Sequence, residues 1–97
     1  MMTVVHRPRV ALEGARAFVA AASSEVYWWL TDMTGTHLGV LYQLRLAETR
    51  LRLQREDAEF TEIGAWRVRL EDLLHERPDL APFLLRLTGE ISERLPR

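Results

Sequence analysis

Three histidines, an adjacent serine pair, a run of arginines and a Tyr-Trp-Trp triplet are the residues here whose types could do chemistry. His6, His37 and His75 fall in three separate segments. None has a second histidine or a carboxylate arranged at the helical spacing of a zinc motif. His75 sits in what reads as a last helical turn, where a cation complements the negative helix end. The chain has no cysteine. That removes disulfides, iron–sulfur clusters, thiolate zinc sites and cysteine nucleophiles. Ser23-Ser24 lies in a helical stretch without the glycine elbow that lifts a nucleophilic serine off the backbone. The glycines at 14, 35, 39, 64 and 89 are scattered and form no phosphate loop or dinucleotide fingerprint. Glu71 and Asp72, interleaved with Arg67 and Arg69, read as a solvated helix face with charge pairing. The expectation is a non-catalytic chain, with no cofactor and no metal.

Arg45, Arg50, Arg52 and Arg55 against Glu48 make a local basic strip, with Arg52 and Arg55 on one helical face. Such a strip suits phosphates, but Glu56, Asp57, Glu59 and Glu62 follow at once. Thirteen basic residues against fourteen acidic ones leave a net charge of −1, so no global field recruits nucleic acid. A nucleic-acid-binding regulator is the weaker of two alternative functions.

Tyr27-Trp28-Trp29 is the most specific oddity. Neighbouring helical residues point about 100° apart, so Trp28 and Trp29 cannot share one narrow stripe. Trp29 joins the main apolar line, whereas Trp28 aligns with Ala17, Ala21 and Ser24. Further along, apolar residues nearly encircle the chain between Leu38 and Leu53, in two lines, Leu41/Leu44/Leu51 and Tyr42/Leu46/Leu53. Once the main stripes pack together, Trp28, Leu41, Tyr42, Leu44 and Leu51 are left over as an interaction surface. Exposed aromatic patches are rare on monomers. The expectation is therefore a protein-interaction and oligomerisation module, a homo-oligomer with a dimer favoured, or else a docking face for another protein. The stronger rival is a membrane-active effector or accessory protein using the Ala17–Leu30 helix. That segment is short of the ~20 apolar residues a spanning helix needs, and no secretory signal opens the chain. A cytoplasmic location is expected.

The elements that must position these residues read as helices throughout. Leu12, Ala15, Phe18 or Val19, Ala22, Val26, Trp29, Leu30 and Met33 recur every three or four residues, predicting one long N-terminal helix at 9–33 after a tail at 1–8. Gly35 is the expected left-handed cap. A second helix follows at 37–54. The seven-residue spacing of Leu46, Leu53 and Phe60 runs on in phase to Ile63, Leu70 and Leu74. A single helix of that length would outrun a domain of this size, so a turn near Gln54–Asp57 is preferred, with Asp57 capping a third helix at 57–76. Arg77-Pro78-Asp79 ends it, because the residue before proline avoids the helical basin. A fourth helix at 79–95 takes Asp79 as its cap. The fold class is all-α: a bundle of three to four helices in one domain at 9–97, completed by self-association. The predicted core is Leu12, Phe18, Val19, Val26, Trp29, Leu46, Leu53, Phe60, Ile63, Leu70, Leu74, Leu84, Leu87 and Ile91.

All thirteen basic residues are arginine, with no lysine and no asparagine in the chain, a bias that reads as a GC-rich source. The run Gly64-Ala65-Trp66-Arg67-Val68-Arg69-Leu70-Glu71-Asp72-Leu73-Leu74, followed by Arg77-Pro78-Asp79-Leu80-Ala81, resembles the end of small helical proteins abundant in actinobacteria. These share a Trp-x-x-Arg-Leu-x-x-Leu-Leu segment, a proline and a leucine-rich last helix. Their Ala-rich N-terminal helix with a Trp near its end is similar to Ala20–Trp29. The resemblance implies a helical fold, an actinobacterial source and, for some members, a place in bacterial conflict systems.

Overall fold

A computed structural model describes residues 6–96. Residues 1–5 of the expected tail lie outside that range. Among the described residues there are five α-helices, one short 3-10 turn and no strand. The helices are α1 (Arg7–Ala22), α2 (Val26–His37), α3 (Val40–Arg55), α4 (Glu59–Glu76) and α5 (Ala81–Arg94), with the 3-10 turn at Pro78–Leu80.

α1 is the central element. Its exposed positions Arg9, Glu13, Arg16, Ala20 and Ser23 form one stripe at alternating four- and three-residue steps, and much of the remaining surface is buried. A helix covered on most of its circumference must be sandwiched: α4 and α5 pack on it, as do α3 and α2. Small residues allow the close approach. A Cβ on Gly14 would stand 3.0 Å from the Leu70 Cδ1 of α4. Phe18, Leu30, Leu46, Trp66, Leu70, Leu74, Leu84, Leu87 and Ile91 fill the centre.

The long helix expected at 9–33 is two helices. Ser23 and Ser24 direct their hydroxyls to the carbonyls of Val19 and Ala21 at 3.2 and 3.0 Å, and Ser24 Oγ accepts from the Val26 N–H at 3.2 Å. Serine offers the backbone an alternative to the helical ladder, and the chain turns there. Helix α2 then runs through Gly35 without a break. The left-handed residue is Gly39, with φ of 104°, and its N–H and that of Leu38 both return to the Thr34 carbonyl. It turns α2 back onto α3 as a helical hairpin, tied by Gln43 Nε2 donating to the Thr31 carbonyl at 3.0 Å.

The turn between the third and fourth elements is present. α3 ends at Arg55, Glu56 is extended, and α4 starts at Glu59. Asp57 makes no capping bond; the residue before α4 is Ala58, without a side-chain cap. Asp79 likewise does not cap α5 but pairs with Arg77 at 2.8 Å, while Pro82 occupies the tolerated first turn. Extended backbone at Glu56 interrupts the helix, and the spacing carried through from Leu53 fails at Phe60 in the first turn of α4, while Leu70 and Leu74 further along still land in the core. Phe60, expected in the core, is 85% exposed, and Trp66, left out of it, is fully buried. Leu12, Trp29, Leu53 and Ile63 are half-buried rather than central. Trp29 is roofed by the Arg94 guanidinium, 4.1 Å above its ring.

Candidate functional site

The leftover face predicted from sequence divides. Trp28, Val40, Leu41, Leu44 and Leu51 are exposed, between 51% and 67% of their surfaces in solvent. Tyr42 is not part of that face: it is half-buried, turned toward Trp66 with ring centroids 6.5 Å apart. On α3, Val40, Leu44, Ala47 and Leu51 follow four-three-four spacing, the repeat that keeps a seam on one side of a helix. Leu41 flanks the seam on one side. On the other side, Arg50 lies 5.5 Å below the Trp28 ring, linking α2 to the same surface.

The basic strip does not form an outward-facing array. Arg50 Nη1 donates to the carbonyls of Ala22 and Ser24, both at 3.0 Å, filling the α1–α2 elbow. Its guanidinium also stacks 4.6 Å over Tyr27. Arg52 forks onto Glu62 at 2.8 and 3.2 Å. Arg45 pairs with Glu48 at 3.3 Å.

Beneath these pairs runs a buried polar chain between α3 and α4. The Trp66 indole N–H donates to Thr49 Oγ1 at 2.8 Å, and the Thr49 hydroxyl donates to Glu62 Oε1 at 2.6 Å. Burial pushes the Glu62 carboxyl upward, but the hydrogen bonds from Arg52 and Thr49 outweigh it and hold the group below its ordinary value of 4.5. The network fixes Trp66 against Phe18, ring centroids 5.1 Å apart.

Next to it opens a cleft of about 220 Å³ lined by Leu41, Tyr42, Arg45, Arg69 and Asp72. Arg67 pairs with Glu71 at 3.2 Å along α4, as a solvated face would. Arg69 does not: its guanidinium lies 5.1 Å over the Trp66 ring. Its Nη1 is buried without a hydrogen-bond partner. The Tyr42 hydroxyl is pushed up by burial and by Glu76 and Asp72, so it stays a donor. The sequence reading missed this cleft; the signal was Trp66 and Arg69 three apart on one helix, within reach of each other.

Other features are quieter. His37 rests 4.7 Å from Phe83, and His75 lies in the last turn of α4. Among the described residues no three His, Asp or Glu side chains converge as a metal cluster, and no helix is long and apolar enough to cross a membrane. The Ala17–Leu30 segment is split by the elbow, and Phe18, Val19, Ala21, Ala22 and Leu30 are committed to the core. Comparison with known proteins finds no matching family model, and no match among curated proteins or solved structures.

Proposed function

We propose that this chain is a non-catalytic self-association module whose α3 helices pair across a twofold axis. The observation that carries the reading is a set of five exposed side chains: Val40, Leu44 and Leu51 in line along α3, with half-buried Ala47 between them, flanked by Leu41 and Trp28. An isolated exposed leucine needs no explanation, but a contiguous apolar seam at coiled-coil spacing is a contact surface. Full burial of a large apolar side chain is worth about 1.5–3 kcal/mol, and more than half of each of these five surfaces is still wet. A twofold axis lets one seam cover another without a dedicated partner. With that axis perpendicular to α3 the two helices run antiparallel, and each Leu44 and Leu51 packs between residues of the opposite seam.

Light scattering at about 50 µM, well above a micromolar Kd, tests this. The wild type should have the mass of a dimer, and Trp28→Arg combined with Leu44→Arg should give a monomer with unchanged helical circular dichroism. A monomeric wild type overturns the proposal.

A further inference from the structure

The geometry points to a second site: the cleft between α3 and α4 binds a small carboxylic acid with an apolar body, its carboxylate on Arg69 and Arg45. Three guanidiniums, those of Arg45, Arg52 and Arg69, gather along this edge. Two carboxylates serve two of them, with Glu48 on Arg45 and Glu62 on Arg52. Arg69 is left over. Among the described residues it makes no ion pair, and its buried Nη1 donates to nothing. A partly buried cation with unspent donors is costly unless something compensates it. The Trp66 face supplies part of that compensation but accepts no hydrogen bond in the plane of the fork.

Asp72 is the nearest candidate partner in sequence, three residues on, and it lines the same cleft. It nonetheless stays exposed and outside ion-pair distance. With Glu76 it puts negative charge near the Tyr42 hydroxyl. That charge disfavours a doubly charged phosphate more than a singly charged carboxylate. The protonated Tyr42 hydroxyl can donate to one carboxylate oxygen while a guanidinium fork holds the group. Leu41 and the Tyr42 ring supply the apolar wall. The cleft, about 220 Å³ and open to solvent, sets this wall beside the two guanidiniums, so the acid that fits is small.

The test is a titration followed by nuclear magnetic resonance, reading the Trp66 indole N–H and the Arg69 Nε–H. Hydrocinnamate, its uncharged amide and inorganic phosphate are compared. Hydrocinnamate should shift both signals and saturate, and the amide should bind at least about tenfold more weakly, the worth of a charge-assisted hydrogen bond. Arg69→Gln should abolish the saturable shift while circular dichroism is retained. Should that variant unfold, Arg45→Gln at an exposed side chain and Tyr42→Phe, which keeps the ring packed beside Trp66 and removes only the hydroxyl, should each weaken the acid severalfold. Equal binding of acid and amide, phosphate binding as tight as the acid, no saturable shift, or full affinity in Arg45→Gln and Tyr42→Phe would each overturn the assignment.

Discussion

The Thr49 hydroxyl stands between the Trp66 indole and the Glu62 carboxylate, accepting from one at 2.8 Å and donating to the other at 2.6 Å. One small side chain therefore satisfies the central tryptophan and orients the buried acid that receives Arg52. Thr49→Val keeps the shape and removes both bonds, leaving a buried donor and a buried carboxylate short of a partner. A loss of about 2–3 kcal/mol is expected, or a Tm lower by roughly 10–20 °C. Thr49→Ser should recover most of it. Thermal unfolding of the two variants side by side checks this.

Glu62 sets an acid limit on stability. Its folded pKa is held below the unfolded value, so its contribution is present above the unfolded pKa and is lost as pH falls through the folded one. The wild-type Tm should drop as pH is lowered from about 5 to about 3. Glu62→Gln should be less stable than wild type at neutral pH but lose less over that interval. Parallel slopes in the two proteins would show that the acid limit lies elsewhere.

Arg50→Ala removes two charge-assisted bonds to the carbonyls of Ala22 and Ser24, together with the stacking on Tyr27. A loss of about 2 kcal/mol is expected. Its signature is local: hydrogen exchange should accelerate first at the amides of residues 26–28, while Leu70 and Leu74 in α4 keep their protection until global unfolding.

Gly64 and Gly89 lie in helices with open space where a Cβ would go, whereas Gly39 holds a φ of 104°. Gly64→Ala and Gly89→Ala should each stabilise by about 0.5–1 kcal/mol through the higher helix propensity of alanine. Gly39→Ala should destabilise by at least that amount, because a side chain strains the left-handed turn. Denaturant midpoints at constant m-value read all three.

Trp66→Ala should cost about 3–5 kcal/mol. Phe60→Ser, at a side chain almost wholly in solvent, should stay within about 0.5 kcal/mol of wild type. Chemical denaturation separates these expectations widely.

That last contrast shows where the sequence is legible. Three- and four-residue periodicity reveals helix within each segment, and the lines through Leu70, Leu74, Leu84, Leu87 and Ile91 all face inward. Periodicity does not register extended backbone, so the spacing that is right at Leu46 and again at Leu70 and Leu74 is wrong at Phe60, next to the break. The serine pair is a second blind spot. Apolar spacing continues through Ser23-Ser24, and only their capacity to bond the Val19 and Ala21 carbonyls, with Ser24 accepting from Val26, marks the break. For the surfaces, the exposure of Trp28, Leu41 and Leu44 could be read from their being surplus to one stripe. The Arg69 cleft could not. Whether a helical arginine pairs with a carboxylate four residues on or lies over an aromatic ring is decided by what the neighbouring helix leaves open.

The arginine that seals the elbow also imposes an order of events. Ala22 and Ser24 are 28 and 26 residues upstream of the side chain that binds their carbonyls. A nascent chain emerging from the ribosome up to Gly39 holds both halves of the elbow and none of this cross-brace. At that stage the serines alone oppose continuation of the helix. The cross-brace on the angle between α1 and α2 therefore exists only in a chain long enough to include α3, which makes the elbow's stability depend on a helix outside it.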